Sequence, residues 1–340
     1  VTLSSPSKEV CVTDASAVYT VVGGALRPVS GEFALSPPGA QPLRPELSIP
    51  PESEPGALVR VYVRSVEHLD TATLLMGAQG KNPVSRTTGF LLSAEEGAEL
   101  WAFALGVPDG SSASAYTLTL RLAAGDRSFL ALKQISMKAR TFFTERFPIT
   151  EDMTSLVTKP DPQRTAESLA FYRLITTPHP DAVYETGAFA VPFPGARRTS
   201  GYGDRREYVN PDSTSSSSVH EGVDIAMPEG SPVPACGPGR VVFAAYRIMT
   251  GNTVIIEHLP GLFSIYFHMS SISVKPGVLV KQGDQVGAVG MTGFATGPHL
   301  HWEVTASGIA VDPDTLVNEP LLDKNPQFID TGTSNSTEGR

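Results

Sequence analysis

His220-Glu-Gly-Val-Asp224, Phe267-His268-Met269-Ser270 and Gly297-Pro298-His299-Leu300-His301 fall within one stretch, Ser200 to Val304. The chain has seven histidines in 340 residues, and four of them sit in these three short pieces. Histidine and aspartate are both competent zinc ligands, and a catalytic zinc site commonly uses three protein ligands and leaves a fourth position open. His220, Asp224 and His301 supply such a set. His299 and His301 stand two apart, so on a strand their rings share one face of the sheet. One ring can hold metal while the other, with His268, is left for proton work. A histidine beside the metal can act as general base and then protonate a leaving amine. A second can hydrogen-bond a developing oxyanion. His258 ends the strand Ile255-Ile-Glu257 and receives no role.

Around these pieces the pattern is that of short strands and turns. Val241-Val-Phe243, Thr253-Val-Ile-Ile256, Ser264-Ile-Tyr-Phe267, Val286-Gly-Ala-Val289 and Leu300-His-Trp-Glu-Val304 read as strands. Gly251-Asn252, Pro260-Gly261, Pro276-Gly277 and Gly283-Asp284 separate them. The serine run Ser213 to Ser218, just before His220, cannot pack a core and is expected to be a mobile loop beside the site.

In this order and with this glycine pattern, the stretch from Phe189 to Leu316 resembles the catalytic domain of the lysostaphin/LytM family of zinc peptidoglycan endopeptidases. The resemblance is carried by Thr199-Ser-Gly-Tyr-Gly-Asp-Arg205, His220-Glu-Gly-Val-Asp-Ile-Ala-Met-Pro-Glu-Gly230 and Gly251-Asn-Thr-Val254. It continues through Tyr266-Phe-His-Met-Ser270, Val289-Gly-Met-Thr-Gly293, Thr296-Gly-Pro-His-Leu-His-Trp-Glu-Val304 and Val311-Asp-Pro313. The match implies one Zn2+ per chain on His220, Asp224 and His301, with His268 and His299 as the catalytic pair and His299 as base. It implies peptidoglycan peptide as substrate and a place in the periplasm, the cell envelope or the secreted fraction. Met269 stands where leucine is usual, and the serine run lengthens the loop before His220; neither removes a functional group. The competing reading is a non-catalytic peptidoglycan-binding or hydrolase-activating protein in a peptidase fold. The presence of all five groups favours the enzyme.

Toward the N-terminus, residues 1–140 read as an all-β domain. Val59-Arg-Val-Tyr-Val-Arg64 alternates with period two, as do Trp101, Phe103, Leu105 and Tyr116, Leu118, Leu120, Leu122. Turn signals at Glu54-Pro-Gly56, Pro108-Asp-Gly110 and Ala124-Gly-Asp126 complete the picture of an immunoglobulin-like β-sandwich. Residues 141–187 read as a connector with one helix. Asp161-Pro162 is its start, and Ala166, Leu169, Ala170 and Leu174 form its apolar stripe. His179 between two prolines is expected to be exposed. Residues 188–320 then form the antiparallel β peptidase domain, and residues 321–340 a polar, disordered tail. The fold class is therefore mainly β.

Composition sets the outer bounds. The formal net charge of −9 argues against nucleic acid as a partner. No apolar run approaches the roughly 18 residues that span a bilayer. The start at Val1, without a charged and then apolar leader, reads as a mature chain whose signal peptide has been removed. Of two cysteines, Cys11 and Cys236, the second sits in Pro234-Ala-Cys-Gly-Pro-Gly239 and reads as a buried small hydrophobe rather than a disulfide partner.

Overall fold

The structure is a computed structural model and describes residues 11–12, 18–22, 25–78, 81–95 and 97–328. Residues 30–137 form the expected sandwich. In one sheet Leu58–Ser65 pairs with Ala98–Gly106, so that Val59, Val61 and Val63 stand opposite Leu105, Phe103 and Trp101. In the other, Ala115–Ala124 lies between Arg127–Met137 and Thr71–Gly77. Leu118, Leu120 and Leu122 meet Val61, Phe103 and Leu105 in one buried cluster between the sheets. The period-two pattern holds on that side. On the other side Tyr62, Ala102 and Ala104 are buried as well, because this outer face carries the C-terminal half. They join Tyr202, Val311, Leu321 and Leu322 in a second cluster.

The C-terminal half is built on a sheet in which every pair is antiparallel. Its order is Arg198–Ser200, Gly222–Ala226, His299–Ala306, Leu262–Met269, Gly251–Leu259, Gly239–Arg247 and Leu279–Val280. The strand Leu262–Met269 is buried along its whole length, because both of its faces are covered. One face meets the cluster shared with the sandwich. The other lies under a helix that brings Phe171, Leu174 and Ile175 onto Ile255, Phe263, Ile265 and Phe267.

The connector departs from expectation in number and in face. It carries two helices among the described residues, α1 (Glu151–Thr158) and α2 (Pro162–Ile175). Pro160 pushes Lys159 out of the helical region, to φ −70° and ψ 133°, and so ends α1. Asp161 caps the start of α2 with Pro162 in its first turn, as its sequence implies. The packed face is Phe171, Leu174 and Ile175, whereas Leu169 is 55% exposed. Five residues separate Leu169 from Leu174, which puts it roughly 140° around the axis. His179 is also more than exposed. Its Nδ1 lies 2.6 Å from Oε2 of Glu257, a carboxylate with no solvent exposure, and pins the end of the connector to the sheet.

Two further expectations are overturned. The serine run is a strand, Ser215–Val219, antiparallel to Arg205–Val209, which in turn pairs in parallel with Thr144–Pro148. Ladder hydrogen bonds come from the main chain, so four solvent-facing serines can pair without any core to pack. Residues 321–328 are not a free tail. Leu321 and Leu322 are buried, Arg60 Nε donates to Leu321 O at 2.8 Å, and the Arg64 guanidinium lies 4.2 Å over the Phe328 ring. Each buried leucine contributes about 1.5–3 kcal/mol to holding the segment in place. The remainder of the expected tail, 329–340, lies outside the described residues. Cys236 is a buried free thiol. No helix among the described residues is long and apolar enough to cross a membrane.

Candidate metal centre and groove

Strand register brings the site together. On adjacent strands Asp224 pairs with His301 and Ala226 with His299, while Phe267 pairs with His301 from the other side. His220 opens the short link between the Ser215–Val219 and Gly222–Ala226 strands. It is aimed by the Thr199–Arg205 motif: Asp204 Oδ2 accepts from Ser200 Oγ and from the Gly201 N–H, and Gly201 O accepts from His220 Nδ1 at 2.7 Å. The Gly201 contact fixes the tautomer. With the proton on Nδ1, the Nε2 lone pair of His220 faces inward.

That Nε2 lies 3.0 Å from Asp224 Oδ1 and 2.9 Å from His301 Nδ1, and His301 Nδ1 lies 2.9 Å from the same oxygen. All three residues are buried. A tetrahedral ion with bonds of about 2.0–2.1 Å holds its ligand atoms about 3.3 Å apart, close to the sides of this triangle. The donor set also fits a cation on chemical grounds, since two imidazole nitrogens and a carboxylate in a buried space need a positive charge between them. Burial works to lower the His301 pKa, but hydrogen bonds to Asp224 and Glu303 outweigh it and push it up to about 9. Burial works to raise the Asp224 pKa, and its contacts with the His220 and His301 rings reverse it and hold it well below the usual carboxylate range. Metal binding at such a cluster releases the proton it replaces.

Beside the triangle stand the other two histidines, their ring centroids 4.9 Å apart. His268 Nδ1 donates to Thr292 O and His299 Nδ1 to Gly297 O, each at 2.8 Å. Each ring therefore presents an Nε2 lone pair, and that of His299 lies 3.6 Å from Asp224 Oδ1. Burial, then the neighbouring His299 and His301, pushes His268 down to about 3, so its ring stays neutral. Its backbone has φ 60°, left-handed for a residue with a Cβ, and is locked there by its N–H to Thr250 O and by the Thr292 N–H to its own carbonyl. Both rings line a groove of ≈ 260 Å³ whose walls include Phe147, Arg206, Tyr208 and Phe294.

All five residues singled out from the sequence meet here; His258 does not. Two residues that sequence reasoning missed also belong to the cluster. Glu303, buried, has Oε2 at 3.5 Å from His301 Nε2. Its signal was present, since it follows His301 by two on one strand. Arg206 donates to Asp224 Oδ2. Nothing in the sequence separates it from Arg205, which turns away to Asp109.

Residues 218–313 match Peptidase family M23. The chain is 40% identical over 113 residues to an uncharacterised metalloprotease of Buchnera aphidicola, covering 33% of this chain and 30% of that protein. It is 41% identical over 98 residues to the peptidoglycan DD-endopeptidase ShyC of Vibrio cholerae, covering 29% and 23%. The match to the lysostaphin catalytic domain structure from Staphylococcus simulans has 30% identity and a TM-score of 0.32, over 36% of this chain and 92% of that one. The matched stretch thus spans about a quarter to a third of the length of these curated relatives. Over residues 218–313, the stretch that holds all five of these residues, the chain carries a peptidase family M23 domain.

Proposed function

We propose that this chain is a zinc-dependent endopeptidase that hydrolyses the peptide stems or cross-links of bacterial peptidoglycan, with His220, Asp224 and His301 holding one zinc. The observation that carries the reading is the convergence of three buried donor atoms within 4.8 Å of one another beside two histidines whose Nε2 faces an open groove. When bound, zinc supplies Lewis-acid activation of the scissile carbonyl and of a water molecule. His299 Nε2, bare in its tautomer, takes the proton from the attacking water and returns it to the leaving amine. From the sequence, His268 is expected to donate to the oxyanion. With its Nδ1–H bound to Thr292 O and its ring neutral, His268 offers an acceptor instead, so we assign it to orienting the water and sharing in proton transfer. The DD-endopeptidase named among the relatives supports a cell-wall substrate, and such a substrate puts the working protein in the periplasm or cell envelope.

The test is digestion of purified peptidoglycan, read by mass spectrometry of released fragments, with zinc measured on the same sample. About one zinc per chain and release of peptide fragments are expected. A protein that binds peptidoglycan and releases nothing is a binding module in a peptidase fold.

A further inference from the structure

Asp224 is held by two different kinds of partner, one on each oxygen. Oδ1 faces His220 Nε2 and His301 Nδ1, at 3.0 and 2.9 Å. Oδ2 accepts from Arg206 Nη2. The contact is enclosed: the side chains of Arg206 and Asp224 are 17% and 9% exposed. Arg206 sits on Arg205–Val209, the central strand of the three-stranded sheet. Its guanidinium lies 5.6 Å over the ring of Phe147, which comes from the connector strand Thr144–Pro148. Its neighbour Arg205 is tied to Asp109 and to Gly203 O. Both Arg206 and Phe147 lie before residue 218, outside the stretch that matches the peptidase family.

We infer that Arg206 is a positioning residue that keeps Asp224 a one-oxygen ligand, so that the fourth metal position stays open for water and substrate. The inference rests on the metal reading given above. A carboxylate can bind a cation through one oxygen or two. A charge-assisted hydrogen bond on Oδ2 removes the second oxygen from competition. Without Arg206 that oxygen is buried and unpaired, which is costly, and the nearest positive charge left to it is the metal. Swinging onto it adds a ligand and closes the open position. Partners of this outer kind typically change metal affinity or activity by about 10–100-fold. Here the metal is retained and the turnover is lost. A merely structural role predicts the reverse, a site that falls apart and releases its metal.

The experiment uses the full chain, stripped of metal and titrated with Co2+, whose visible absorption is stronger in four-coordinate than in five-coordinate sites. Wild type is expected to show the stronger band. Arg206→Met keeps the bulk without the donors. It is expected to bind one Co2+ with a weaker, shifted band, to hold it against a chelator within tenfold of wild type, and to lose about 10–100-fold in kcat with KM little changed. Arg206→Lys restores a charged donor, and the stronger band returns with it. Arg206→Gln, a neutral donor of similar length, replaces the methionine variant if that one does not fold. Its band lies between those of wild type and a five-coordinate site. An unchanged spectrum and kcat in Arg206→Met, or loss of Co2+ from the folded variant, overturns the inference. Failure of wild type to bind Co2+ at all overturns the metal reading instead.

Discussion

His220, His268 and His299 each donate Nδ1–H to a main-chain oxygen, from Gly201, Thr292 and Gly297. The loops around the sheet thus decide which nitrogen of each ring faces the groove, and only His301 turns Nδ1 inward. This separates the two histidines of His299-Leu-His301 by the nitrogen each turns inward although they share a face. His299→Ala should keep its metal and fold and lose about 10²- to 10⁴-fold in turnover, the usual contribution of a placed acid–base group. His301→Ala should lose the metal, since two protein ligands do not make a site. Metal analysis beside peptidoglycan digestion checks both, and turnover like wild type in His299→Ala would exclude it as base. The shared face was legible in the sequence, because a strand has period two. The tautomers were not, since the carbonyls that fix them come from positions such as 201 and 292, brought close only by folding. His258 shows the limit from the other side. Its ring bonds Pro238 O and Ser264 Oγ inside the core, and burial pushes its pKa down to about 4. The unfolded chain takes up this proton near pH 6.5, so below that pH the unfolded state binds more protons and stability falls. The loss runs from about pH 6.5 to about pH 4 and amounts to about 3 kcal/mol, with no effect above pH 6.5. Denaturant titrations at pH 7 and pH 4.5 should therefore show a smaller acid loss in His258→Gln than in wild type; equal losses would remove His258 from the account.

Gly251 marks a turn in the sequence and a contact in the fold. It has φ 63°, and a Cβ there would come within 2.1 Å of Thr292 Oγ1 and 2.4 Å of Thr292 O. That same carbonyl accepts from His268, so the loop cannot retreat without moving a site histidine. Gly251→Ala should destabilise by about 2–4 kcal/mol, from the left-handed backbone and from overpacking together. Activity should fall further than stability accounts for. A urea midpoint equal to wild type, or a stability loss with full turnover, would count against the coupling. The turn could be read from Gly251-Asn252, but not the partner forty-one residues on. Other elements divide the same way. Alternation located the strands at 58–65 and 115–124, and Asp161-Pro162 located the start of α2. The strand Ser215–Val219 escaped because its pairing with Arg205–Val209 is made by main-chain groups, on which side-chain type says little. Helix α1 escaped because eight residues, none of them buried, leave no apolar stripe to read.

The sequence suggests two bodies joined by a connector, and the packing ties them tightly enough to make a thermodynamic claim. Leu58, Tyr62, Ala102 and Ala104 of the sandwich share one buried cluster with Tyr202, Val311, Leu321 and Leu322. Arg140 crosses the boundary to Asp312, a buried carboxylate, and also donates to Pro55 O at 3.1 Å. Arg205 crosses it to Asp109. The outward residues of the Ala98–Gly106 strand are alanines and a leucine rather than charges, in keeping with a face built to be covered. Two halves that share a core lose it together, so unfolding should be one transition rather than two. The chain provides its own reporters, with Trp101 in the sandwich and Trp302 in the C-terminal sheet as its two tryptophans. Trp101→Phe leaves a signal from the C-terminal sheet alone, and comparison with wild type recovers that of the sandwich. Measured after chelation, so that a bound ion does not stabilise one half selectively, the two midpoints should coincide. Arg140→Met leaves Asp312 as an uncompensated buried charge, which costs about 3–5 kcal/mol. That cost falls on the boundary, so the variant should unfold earlier, and the sandwich signal should separate from that of Trp302. Coincident midpoints in wild type that split in Arg140→Met would establish the boundary as the source of the cooperativity; two midpoints in wild type would mean that each half stands on its own core.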